Sequence, residues 1–205
     1  MMNKDFTPTQ ETISLHGLGF IQVVLPNPFS QQRLHVWHPD LPRRRCFVKS
    51  SVHNHRFEFT SLVLVGTQVN WPATVEIVKE GTGTHRLISH DGPRSPKGGR
   101  LSEEIADCVL HRQDAVEYPV GCSYSMRMLD YHSTPCHGVV VTLMTKGQEG
   151  TIHASSVCEK GTVFDQDFDR FQMKPAELWE FVLSALSGVD RSMFTIGGPF
   201  TRRPV

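Results

Sequence analysis

One stretch constrains this chain more than any other: Val52 to Gly66, which opens with His53-Asn54-His55 and runs on through Phe57, Phe59, Ser61, Val63 and Val65. Its β-branched and aromatic residues favour a strand, in which positions i and i+2 share a face. His53 and His55 therefore point the same way, and Phe57, Phe59 and Ser61 continue their face. Two neutral imidazoles side by side on a rigid element make half of a metal site, because imidazole nitrogen suits zinc, copper, iron and nickel. The stretch predicts a β-architecture with a metal centre.

Composition narrows the rest. At 205 residues the chain can bury one substantial core, so a single domain over 1–205 is expected. Lys plus Arg and Asp plus Glu both number 21, leaving no net field to draw nucleic acid or an anionic membrane. No apolar run approaches the roughly 20 residues of a membrane span, and the start, Met1 to Phe6, lacks the apolar core of a secretory signal. The expectation is a cytoplasmic protein with no membrane or nucleic-acid partner. Cys46, Cys108, Cys122, Cys136 and Cys158 are odd in number and contain no Cys-x-x-Cys pair, which predicts reduced thiols; Cys122 and Cys136 lie near the second half of the site.

Short runs between turn residues predict many more strands. Gly19 to Leu25 reads as one strand, ended by Pro26-Asn27-Pro28, and Arg33 to Trp37 as another, with His35 and Trp37 on one face. Pro42-Arg43-Arg44-Arg45 reads as a solvated turn. Thr74–Lys79 and Thr84–Ile88 suggest a hairpin with one face in water, followed by a long surface loop, Ser89–Arg100, of the kind that serves as a lid or binding element. Further strands are predicted at 108–111, 114–118, 124–128 and 139–144, with 130–138 a polar connection. Pro175 to Leu186 has apolar residues at helical spacing, proline in the first turn and Gly188 beyond the end, which predicts one amphipathic helix outside the sheet and an irregular tail after it.

At residues 30–147 the chain resembles the cupin superfamily. The first cupin motif, His-x-His, three or four residues, Glu, six residues, Gly, is matched by His53, His55 and Gly66, with Phe59 in the Glu slot. The second, Gly, five residues, Pro-x-Gly, two residues, His, three residues, Asn, is matched by Gly121 and His132, with Arg127, Leu129 and Cys136 at the other places. A rival alignment on Pro119-Val120-Gly121 puts Tyr124 in the histidine slot. The first alignment is preferred, because it supplies a third imidazole just before the strand from Val139. The resemblance implies an all-β double-stranded β-helix, a jelly-roll barrel, with residues 148–205 as a C-terminal helical extension. It implies metal ligation by His53, His55 and His132, with His137 and Glu58 as competing ligands. Glu58 would need a bulge to reverse its facing. A homodimer is the oligomeric state that the resemblance suggests.

A three-histidine set without a carboxylate is similar to that of thiol dioxygenases and some diketone-cleaving cupins, which bind iron(II). The first functional expectation is thus an iron(II) dioxygenase, an oxidoreductase acting on a small thiol- or diketone-type molecule. In it Tyr124 is the catalytic residue beside the metal, and Phe57, Phe59, Ser61 and Met126 line the substrate pocket. Three neutral ligands leave a divalent ion's charge uncompensated and positions open on it, which suits such chemistry. The alternatives are an isomerase or lyase using zinc, nickel or manganese as a Lewis acid, and a cupin that only binds a small ligand. Isolated histidines, His35, His38, His85, His90, His111 and His153, read as surface or satisfied residues, and Arg56 as half of a structural ion pair.

Overall fold

The computed structural model describes residues 7–26, 31–164, 166 and 168–187. In chain order the elements are β1 (Ile13–His16), β2 (Phe20–Leu25), β3 (Gln32–Trp37), α1 (Cys46–Lys49), β4 (Phe57–Val65), β5 (Thr67–Ile77), β6 (His85–Ser89), β7 (Glu103–Arg112), β8 (Val116–Pro119), β9 (Ser123–Met126), β10 (Tyr131–Ser133), β11 (Val140–Glu149), β12 (Ser155–Glu159) and α2 (Pro175–Leu186). They form an all-β jelly roll of two antiparallel sheets with one C-terminal helix. The first sheet runs β1-β2-β3-β11-β4-β9; the second runs β10-β5-β7-β6-β12, with β8 also on β5.

The apolar face of the first sheet is its outer one. Leu34 and Val36 of β3 pack with Ile13, Leu15, Ile21, Val23 and Val141 beneath α2, which contributes Leu178 and Val182 one turn apart. Pro175 at the helix start and the Glu177 carboxylate, accepting from the Lys174 N–H at 3.0 Å, set where α2 begins. The alternate residues of the same strands face inward: Phe20 meets His16, His35 and Trp37 at ring-centre distances of 4.4, 4.6 and 4.4 Å. The expected shared face of His35 and Trp37 is therefore present, and it looks into the barrel.

The second sheet closes into a ring. His53 forms an antiparallel bridge with His132 on one side and with Ser156 on the other. Its N–H donates to the His132 carbonyl and its carbonyl accepts from His132, each at 2.9 Å, while the N–H of Val157 reaches the Val52 carbonyl at 2.8 Å. Hydrogen bonding thus passes from β10 through β5, β7, β6 and β12 to residue 53 and back to β10. The histidine segment is the seam of the barrel, which holds its backbone from both sides.

Several expectations need correction. Residues 52–66 are not one regular strand: β4 starts at Phe57, and 54–56 carry the chain from the ring into the first sheet. The pair expected at 74–79 and 84–88 is no hairpin, because β7 lies between β5 and β6 and pairs with each through a different half, Cys108–Arg112 with β5 and Glu103–Cys108 with β6. The connection crosses β7 at Asp107, whose carboxylate accepts from the Gly81 N–H at 2.6 Å and from Lys160 at 2.5 Å. The polar connection at 130–138 contains β10, and β12 is a strand that local alternation does not announce. The tail from Gly188 lies outside the described residues. Among those described, no helix is long and apolar enough to cross a membrane. None of the five cysteines forms a disulfide among the described residues.

A single residue, Gly66, takes the chain from β4 in one sheet to β5 in the other, at φ +72°, where a Cβ would stand 2.4 Å from the Val139 carbonyl oxygen. Gly66→Ala should cost about 3 kcal/mol in chemical denaturation, combining left-handed strain with that clash. A loss under about 1 kcal/mol would mean the turn relaxes freely.

Candidate metal centre

His53, His55 and His132 come together, with one ligating nitrogen from each and all three within 4.8 Å of one another. The rings of His53 and His132 are 4.6 Å apart, and that of His55 is 4.8 Å from His53. Different backbone features hold each. The double bridge fixes His53, and the Leu129 N–H donates to the His55 carbonyl at 2.8 Å. His132 sits in β10, opposite Pro72 of β5.

The arrangement fits a divalent cation on two counts. The Nδ1 of His53 lies 2.8 Å from the Ser51 carbonyl, so it carries the proton and leaves Nε2 as a lone pair. The Nε2 atoms of His55 and His132 are 3.1 Å apart. Two nitrogens about 2.1 Å from one ion, at tetrahedral to octahedral angles, stand about 3.0–3.4 Å from each other. Without an ion the same distance is an N–H···N hydrogen bond between neutral rings. His132 has no tether like that of His53, since its Nδ1 is buried without a hydrogen-bond partner among the described residues. Packing holds that ring.

Burial keeps these imidazoles neutral, the form that ligates. It pushes His53 down to about 4, against the Ser51 hydrogen bond that works the other way. His55 and His132 are held well below the usual histidine value by burial first and neighbouring histidines second.

The two competing ligands stay outside the cluster. Glu58 is exposed, and its carboxylate faces the Gln148 N–H at 3.4 Å; His137 is not among the grouped residues. Arg56 pairs with Glu149, the structural role expected of it.

Phe57 and Phe59 pack on His55 at 5.3 and 5.1 Å, and Phe59 also meets His132 at 6.4 Å. Beyond Phe59 the register pairs it with Met126 and pairs Ser61 with Tyr124. The ring of Tyr124 contacts Phe59 at 6.1 Å and stacks on Tyr118 at 4.8 Å. Burial raises its hydroxyl above the ordinary tyrosine value, partly offset by Ser61 and Asn70 beside it. Tyr124 thus reaches the histidines through Phe59, and Phe57, Phe59, Ser61, Tyr124 and Met126 form the wall behind the cluster.

The open side lies elsewhere. A cavity of about 250 Å³ reaches His53 and His55, and its other walls include His16, His90, Arg44, Arg94, Arg100 and Arg170. Sequence reasoning missed all six as site residues. Arg44, expected in a solvated turn, is 8 % exposed, and its guanidinium lies over the rings of Phe47 and Phe164. His90, read as isolated, is fixed by Ser102 and Ser156 hydroxyls at 2.7 Å each, and burial with the Arg44 charge pushes it down to about 4. The loop after β6, expected as a binding element, folds over this cavity through a bridge between Arg94 and Arg100.

Fold and site together define a jelly-roll barrel with a three-histidine cluster at its seam. No protein-family model matches the chain, and no curated protein sequence matches it. Among solved structures it is similar to procruciferin, an 11S globulin from Brassica napus, at 10% identity over 96% of this chain and 51% of that one, with a TM-score of 0.35. It is also similar to CapF with the inhibitor 3-isopropenyl-tropolone, at 14% identity over 77% of this chain and 32% of that one, with a TM-score of 0.23. The chain spans about half the length of the first and a third of the second. Superpositions this loose carry no argument about activity.

Proposed function

We propose that the chain is a metal-dependent oxidoreductase that holds iron(II) on His53, His55 and His132 and oxidises a small molecule with dioxygen. The observation that supports this reading is a ligand set of three neutral nitrogens with no carboxylate among the described residues grouped with them. Bound there, iron(II) would pass electrons from the small molecule, which is oxidised, to dioxygen, which is reduced.

The chain's own residues supply position and shielding. Phe57 and Phe59 keep water from the His55 side. The Ser51 carbonyl fixes the His53 tautomer, and the cavity on the far side of the pair admits the substrate. Tyr124, with Ser61 and Met126, supports the Phe59 ring from behind.

Oxygen-electrode measurements on the iron(II)-loaded protein, screening thiols and 1,3-diketones, test the reading. Uptake dependent on one of these compounds and absent from His55→Ala is expected. Loaded protein that consumes no oxygen with any of them would contradict it. Lewis-acid isomerisation or lysis with zinc, nickel or manganese, or simple ligand binding, would then account for the site.

A further inference from the structure

His16 closes β1 and lines the cavity together with His53 and His55. Backbone hydrogen bonds fix its place. It stands opposite Phe20 in the register of β1 and β2, and the Gly19 N–H donates to its carbonyl at 2.9 Å, which closes a tight turn between the two strands. The turn is also anchored from outside: the Arg44 N–H donates to the Gly17 carbonyl at 2.9 Å, and the Leu15 N–H to the Arg170 carbonyl at 3.1 Å.

The ring is as constrained as the chain beneath it. It lies on Phe20 with centres 4.4 Å apart and planes 9° from parallel, and Phe20 is backed in turn by His35 and Trp37. The Leu18 N–H donates to His16 Nδ1 at 3.3 Å. A backbone amide can only donate, so Nδ1 is the acceptor nitrogen and the proton of the neutral ring sits on Nε2. Burial first and the Arg170 charge second hold the ring well below the ordinary histidine value, which keeps it neutral. Among the described residues no hydrogen bond takes up Nε2. His90, also on the cavity wall, differs, because serine hydroxyls hold both of its nitrogens at 2.7 Å.

An N–H of fixed direction recognises an oxygen lone pair well and a sulfur poorly. We infer that His16 is a specificity-determining residue of this cavity: its Nε2–H donates to an oxygen of the bound small molecule and biases the site toward a carbonyl or enolate ligand and away from a thiol. This deepens the metal-centre reading and rests on it, choosing between the two substrate classes named there. An enolate gains more than a ketone, since a hydrogen bond to a charged acceptor is the stronger.

The test uses the zinc-loaded protein, in which a redox-inert ion allows binding without oxidation. Zinc content is read for each sample by elemental analysis, and calorimetry then measures pentane-2,4-dione and cysteamine. Wild type should bind the diketone. His16→Phe, which keeps the stack on Phe20 and has no donor, should weaken that binding about tenfold or more and change cysteamine affinity by less than about twofold. His16→Gln, whose side-chain amide carries an N–H at similar reach, should recover most of the loss. Zinc retained by every variant with diketone affinity unchanged in His16→Phe overturns this inference alone. So does an equal loss for both compounds, a His16→Gln variant as weak as His16→Phe, or a zinc-loaded wild type that binds no diketone. Wild-type protein that retains no zinc overturns the metal-centre reading and this inference with it.

Discussion

Acidification from pH 7.5 to pH 5 will lower the Tm of the metal-free protein by about 10 °C or more. Burial holds His35 down at about 3 and His90 at about 4, and His16 well below the ordinary value. An unfolded histidine titrates near 6.5, so between that pH and the folded values the unfolded chain binds protons that the folded chain refuses. Stability is complete above pH 6.5 and falls as pH drops below it. At pH 5, His35 and His90 each cost about 2 kcal/mol, which at about 2–4 °C per kcal/mol for a chain of this size gives the stated shift. Asp107 and Glu149 do not mask the effect. Lys160 and Lys146 hold their carboxyls below the usual carboxylate range, so their contribution is lost only further into acid. Circular-dichroism melts at the two pH values check this, and a change under about 3 °C would mean that these rings protonate without unfolding.

Alanine at His55 or at His132 will weaken metal binding by at least about 100-fold, since removing even an outer partner of a metal-ligating histidine costs roughly 10–100-fold. The spacing supports this: with Nε2 atoms 3.1 Å apart, the two rings contribute adjacent corners of one coordination sphere. His137→Ala and Glu58→Gln should leave the affinity unchanged, because neither side chain joins the cluster. Competition titrations with a chromophoric chelator read all four variants. Equal affinity in wild type and His132→Ala would show that the third ligand lies elsewhere.

How far these features could be read in advance depended on whether they are local. His53 and His55 were legible as an i, i+2 pair, although the bridges at His53 and the Leu129 N–H at the His55 carbonyl, rather than one regular strand, hold them side by side. The helix at Pro175–Leu186 was legible from its spacing and its proline. His132 came only through the spacing of a resemblance: β10 is three residues long and exists by pairing with β5 and His53, which its own polar sequence does not announce. The same cause hid the crossing at Asp107, since alternation in β5 and β6 says nothing about β7 lying between them. Arg44 was the largest omission. Three adjacent arginines look like a solvated turn, and the approach of Gly17, Gly99 and the Phe164 ring from distant segments, with Phe47 nearby, buries one of them.

The most direct test of the central claim is the metal stoichiometry of the wild-type chain after anaerobic reconstitution with iron(II) and gel filtration, read by elemental analysis. A three-histidine centre at the seam predicts close to one iron per chain, lost in the His55→Ala variant. Wild-type protein that emerges folded and free of iron, and that also fails to retain zinc, would contradict it and leave the 3.1 Å contact as a hydrogen bond between two buried imidazoles.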